Sequence, residues 1–132
     1  MEKEALTPAN LPSWMKNLLM TMPFSMAVKG GGFVFMSGCT CFLDRKTEAL
    51  VEGIEAQTRE TLEVIKDTLE AAGSSLDKVV KVTVFLRNVQ DFPKMNEVYR
   101  TFFPKDPPAR STILTGSALP EMLVEIECIA MV

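Results

Sequence analysis

The last quarter of the chain constrains the fold most. It holds two apolar strand segments, and each carries charge where a buried strand tolerates little. Pro107-Pro108-Ala109-Arg110-Ser111-Thr112 opens the first, Gly116-Ser117 marks a turn, Leu119-Pro120 follows, and residues 124–131 form the second. The two prolines fix φ, so Arg110 enters its strand with little freedom. In the second strand alternation puts Val124, Ile126, Cys128 and Ala130 on one face, with Glu125, Glu127, Ile129 and Met131 on the other. A guanidinium grips a carboxylate through two parallel hydrogen bonds, and a carboxylate on a mostly apolar strand is a candidate general acid or base. Arg110 either pairs with one of these glutamates or belongs with them to a site; the residues alone leave both open.

Upstream, residues 1–12 mix charge with Pro8 and Pro12 and read as a loose or extended arm. Residues 13–22 carry hydrophobes that suit a turn or two of helix, or an irregular lid. Residues 25–28 and 33–37 read as strands around Gly30-Gly31-Gly32, a hairpin turn rather than a phosphate loop, with 39–43 extending the second. From 53 to 72, Ile54, Thr58, Leu62, Ile65, Leu69 and Ala72 recur at helical spacing, and Gly73 supplies the stop. Residues 79–86 are β-branched with weak alternation, as suits a central strand covered on both faces. Asp91 is placed to cap a second helix that Pro104 ends. Two helices against one face of a mixed sheet give an α+β layer within a single domain, 1–132, whose residues 1–22 form an N-terminal arm and apolar segment.

What the chain lacks narrows its chemistry. There is no histidine, which removes His-based triads, the usual zinc sets and the commonest general base. A net charge of −3 with no run of Lys or Arg offers nucleic acid no long-range attraction. Residues 14–22 are too short to span a bilayer and are interrupted by Lys16 and Asn17, so neither nucleic acid nor membrane is an expected partner. Cys39, Cys41 and Cys128, an odd number behind no signal-like segment, suggest reduced thiols and a cytoplasmic setting. Cys39 and Cys41 would share one side of a strand, but no further ligand lies nearby, so they read as structural thiols and no metal is expected.

Pro108-Ala109-Arg110-Ser111, with Leu119-Pro120 and Val124-Glu125-Ile126-Glu127, resembles the signature of the RidA (YjgF-type) reactive-intermediate deaminases. Val34-Phe35-Met36-Ser37-Gly38, Gln57-Thr58, Ala72-Gly73-Ser74-Ser75-Leu76-Asp77, the run 80–86, Asn96-Glu97-Val98-Tyr99 and Phe102-Phe103 agree in order. The resemblance runs from about Pro23 to the C-terminus. It implies a chorismate-mutase-like fold and a homotrimer with a barrel-like core and a cleft at each subunit boundary. The implied activity is cofactor-free hydrolysis of enamines and imines of the 2-aminoacrylate type to 2-oxo acids and ammonia, as in a 2-iminobutanoate/2-iminopropanoate deaminase.

Carried over by position, the resemblance makes Arg110 the grip on a small-molecule carboxylate substrate and Glu125 the residue that holds or activates water. Ser37, Asn96, Thr112 and Phe24 fall at substrate-binding positions of the expected cleft. Phe24 stands where the family generally has tyrosine, Met26 and Cys39 where glutamine is common, and Thr112 where many members have cysteine. Phe24, Met26 and Cys39 make their side of the cleft less polar. Two alternatives therefore stand beside the small-substrate deaminase. One is a pathway-specific relative acting on a larger or more apolar enamine, of aminomuconate or biosynthetic type. The other is a non-catalytic trimer that binds 2-oxo acids. If residues 14–22 fold over the cleft, an apolar substrate body is favoured; if they pack against the protein's own core or a neighbouring subunit, the pocket stays small.

Overall fold

The computed structural model describes residues 2–116 and 119–132, so Ser117 of the expected turn lies outside the described residues. Six strands and three helices alternate along the chain: β1 (Glu4–Leu6), α1 (Ser13–Thr21), β2 (Ala27–Gly30), β3 (Phe33–Met36), α2 (Ile54–Ala71), β4 (Val79–Leu86), α3 (Phe92–Phe102), β5 (Ala109–Leu114) and β6 (Val124–Met131). The strands form one mixed sheet in the order β1-β2-β3-β6-β4-β5. Only β4 and β5 run parallel, with α3 as their crossover; the other neighbouring pairs are antiparallel.

The alternation along β6 sets the layers. Val124, Ile126, Cys128 and Ala130 are buried, as are Val82, Val84 and Leu86 of β4. They meet the helical layer, to which α2 contributes Thr58, Leu62, Ile65 and Leu69 at steps of three and four. Gly73, at φ +82, ends α2: its N–H reaches Glu70 O at 3.1 Å and the Ser74 N–H reaches Leu69 O at 2.8 Å. That is the paired bonding of a left-handed helix stop. Between β2 and β3, Gly31 and Gly32 both take positive φ (61° and 83°), as a two-residue turn between twisted strands requires.

Several expectations need correction. The arm is structured: Glu4–Leu6 pairs with β2 through edge hydrogen bonding, which a three-residue segment does not advertise in its side chains. Residues 13–21 form a nine-residue helix, so three helices accompany the sheet rather than two. Residues 39–43 do not extend β3. The chain leaves that strand after Met36 and touches β6 again only through the Cys39–Ile126 bridge, while Leu43 pairs with Leu50. Asp91 precedes α3 but makes no capping bond, because it closes a 3-10 turn in right-handed helical geometry (φ −83°, ψ −8°) rather than the extended one a cap uses. Finally, β4 is closed on its helical face alone. On the other face Lys81, Thr83 and Phe85 are half-buried, and Phe33, Phe35, Ile113 and Met131 are exposed. This open apolar face is wide for a protein surface.

Candidate active site

Glu125 begins the open-face row of β6, opposite Phe85 of β4. The carboxyl is half-buried, and its pKa is raised above the ordinary glutamate value by burial first and by the charge of Glu127 second. Beside it the chain returns from β3: Cys39 N–H donates to Ile126 O at 2.8 Å and Ile126 N–H to Cys39 O at 2.9 Å. That reciprocal bridge fastens residues 38–40 against the start of β6. Glu125 thereby enters the wall of a cavity of about 340 Å³ whose other sides are mostly apolar, among them Trp14, Leu18, Met22, Phe24, Met26 and Phe42, with Thr40 as the polar exception. Three of the residues that depart from the family pattern, Phe24, Met26 and Cys39, line it.

Arg110 lies elsewhere. It follows Pro107-Pro108 onto edge strand β5, with its guanidinium carbon 4.7 Å from the Tyr99 ring centre and 5.8 Å from that of Phe92. The stacked planar cation is oriented by these rings without being consumed by a counter-ion. Asn96, Tyr99, Phe103 and the two prolines join it around a groove of about 320 Å³. The Asn96 amide oxygen is buried there without a hydrogen-bond partner. Burial pushes the Tyr99 hydroxyl up to about 12 despite the opposing charge of Arg110, so the ring stays neutral beneath the cation.

Strand register shows that these two sites do not meet within one chain. Arg110 aligns with Val82, and Val82 with Cys128, so Arg110 belongs to the helical side of the sheet. Glu125 aligns with Phe85, and Phe85 with Ile113, on the open side. Among the described residues no ion pair joins Arg110 to Glu125 or Glu127, so the pairing alternative does not hold within a single copy.

The other predicted residues divide between these places. Phe24 borders the Glu125 cavity and is 42% exposed, and Asn96 borders the Arg110 groove. Thr112 follows two residues after Arg110 on the same side of β5, aligned with Val84. Ser37 donates its hydroxyl to Ser25 O at 2.6 Å, tying the entry of β2 to the exit of β3. All three cysteines are buried free thiols; burial pushes Cys41 and Cys128 up to about 12 and Cys39 higher still, so none is a thiolate nucleophile at neutral pH. No group of three His, Cys, Asp or Glu side chains among the described residues is arranged to hold a metal ion. No described helix is long and apolar enough to cross a membrane.

Sequence reasoning missed two supporting residues. Gly38 lines the cavity beside Glu125. Gln57, fully buried on α2, donates to Val51 O (2.9 Å) and Glu121 O (2.6 Å) and accepts from Leu123 N–H (3.0 Å). It thereby pins the segment leading into Glu125. A glutamine one turn from Ile54, beside the apolar stripe of α2, was the available signal.

The family model described as Endoribonuclease L-PSP matches residues 15–132. A RutC family protein of Pyrococcus horikoshii is 48% identical over 109 residues, covering 82% of this chain and 86% of the relative. The 3-aminoacrylate deaminase RutC of Acinetobacter baylyi is 35% identical over 98% of both chains. Among solved structures, a conserved Rid-family protein of unknown function from Yersinia pestis superposes with a TM-score of 0.85, at 36% identity, covering 99% of this chain and all of the other.

Proposed function

The chain belongs to the endoribonuclease L-PSP family, the group of RidA- and RutC-type proteins, and from that premise we propose that it deaminates reactive 2-imino and enamine acids by hydrolysis, without a cofactor. The observation that carries this proposal is Glu125, a carboxyl whose pKa is raised inside a mostly apolar cavity. The deaminase named among the relatives supports the reaction class. A net charge of −3 and the absence of histidine lend no support here to the ribonuclease activity in the family's description.

In this mechanism Arg110 grips the substrate carboxylate through two parallel hydrogen bonds. The Glu125 carboxylate takes a proton from water as the water oxygen bonds to the iminium carbon, giving a carbinolamine. The proton then passes from Glu125 to nitrogen, Glu125 takes the hydroxyl proton as the C–N bond breaks, and ammonia leaves a 2-oxo acid. An enamine enters the same route once protonated Glu125 delivers its proton to the β-carbon. An imine carbon is already electrophilic, so orientation and charge stabilisation supply most of the rate.

Because Arg110 and Glu125 belong to opposite sides of the sheet, one copy cannot present both to one small substrate. The active unit therefore takes more than one copy, and the family resemblance makes it a homotrimer of chorismate-mutase-like subunits, in which the open face of Phe33, Phe35, Ile113 and Met131 packs against neighbouring copies. Arg110 and Asn96 of one copy then complete the Glu125 cavity of the next. The free thiols suit a reducing compartment such as the cytoplasm. The test is to generate 2-iminopropanoate in situ with an amino-acid oxidase and follow ammonia release. Release above the spontaneous rate is expected; an unchanged rate would leave the non-catalytic binding trimer.

A further inference from the structure

α1 has two apolar edges with different fates. Met15 is buried in the core and Leu19 packs against it, anchoring the helix. Leu18 on α1 and Met22 just past its end, also four residues apart, remain 45% and 47% exposed and, together with Met15 and Leu19, line the cavity that holds Glu125. Trp14 and Phe42 close the same wall, their rings meeting edge to face at 5.7 Å. At about 340 Å³ the cavity falls within the range of small-molecule sites, ~300–1,000 Å³. A methyl group would leave most of it as wet apolar surface, whereas a branched or aromatic side chain would displace that water. Glu125 is the only charged residue in its lining, so the cavity distinguishes substrates by the bulk of the group next to the reacting carbon.

We propose that α1 is a specificity wall, selecting 2-imino acids with large apolar side chains, of the leucine or phenylalanine type, over the alanine-derived imine. This proposal rests on the imine-deaminase assignment and names the substrate class of that same site. Leu18 and Met22 are the specificity-determining residues. They touch the substrate's side chain, while the reacting carbon stays at Glu125.

The experiment measures kcat/KM for imines generated in situ from alanine, leucine and phenylalanine, on the wild-type chain and on Leu18→Trp, Met22→Trp and Met20→Trp. The wild type is expected to favour the leucine or phenylalanine imine by about tenfold or more. Leu18→Trp and Met22→Trp fill the cavity and should bring that ratio close to one. Met20 is 84% exposed and absent from the lining, so Met20→Trp should leave the ratio unchanged. Each ratio is taken on a single preparation, so partial loss of folded protein cancels. A preference for the alanine imine, or a ratio that neither wall variant moves, would overturn the specificity wall while leaving the deaminase assignment standing. Acceleration of no imine would overturn both.

Discussion

Gly38 lies directly against the Glu125 carboxyl: a Cβ at this glycine would stand 2.8 Å from Glu125 Cδ and 2.8 Å from Oε2. The Cys39–Ile126 bridge holds the two segments at that spacing. The clash would fall on the far end of a flexible side chain, so Gly38→Ala is expected to cost little stability and to move the carboxyl instead. Misplacing a catalytic group by about 1 Å costs on the order of a hundredfold. Thermal melting should change by only a few degrees, while kcat/KM for the preferred imine falls about a hundredfold.

Arg110→Lys keeps the positive charge over Tyr99 but loses the planar two-point grip. KM for imino acids should rise about tenfold or more, with a smaller change in kcat, since a lost uniform binding contact appears mainly in KM. Calorimetric titration with pyruvate checks the same point without turnover. Equal affinity in the two proteins would rule out Arg110 as the carboxylate anchor.

The raised pKa of Glu125 makes two pH-dependent outcomes expected. The native state holds this proton more tightly than the unfolded chain, so stability falls as pH rises from the ordinary value of 4.5 through the raised native value. Below the ordinary value both states are protonated and the penalty vanishes. Glu125→Gln should therefore melt higher than the wild type at neutral pH and equally at acid pH, while losing activity. Glu127→Gln removes the neighbouring charge and should shift the acid limb of the kcat/KM profile to lower pH.

Gln57→Leu tests the support behind Glu125. It leaves Val51 O, Glu121 O and Leu123 N–H without their side-chain partner. A loss of about 3 kcal/mol is expected in urea unfolding, from the cost of unsatisfied buried groups.

Much of this architecture was legible in the sequence wherever one side-chain period dominated. The buried row of β6, the stripe of α2 and the glycine stop at Gly73 followed directly from periodicity and backbone freedom. Short elements were not legible: β1 is held by pairing with β2, and α1 lacks a side-chain cap at Pro12. Arg110 and Glu125 stood out as charges on apolar strands. Their assignment to opposite sides depends on the registers of β5 on β4 and β4 on β6, which no local pattern encodes. Gly38 and Gln57 stood in the family motifs without a role because each acts through another residue: one makes room for Glu125 and the other pins backbone before it.

The most direct measurement is complementation between two inactive variants, Arg110→Ala and Glu125→Gln. Each should be inactive alone, since every cleft lacks one of the two groups. Co-expressed in equal amounts with distinct tags and purified as mixed assemblies, they should regain activity. In each mixed trimer one of the three boundaries, about a third, would join an intact Arg110 from one copy to an intact Glu125 from the next. Recovery of about a third of wild-type activity is the expected result. Mixed assemblies no more active than either parent would contradict a site shared between copies.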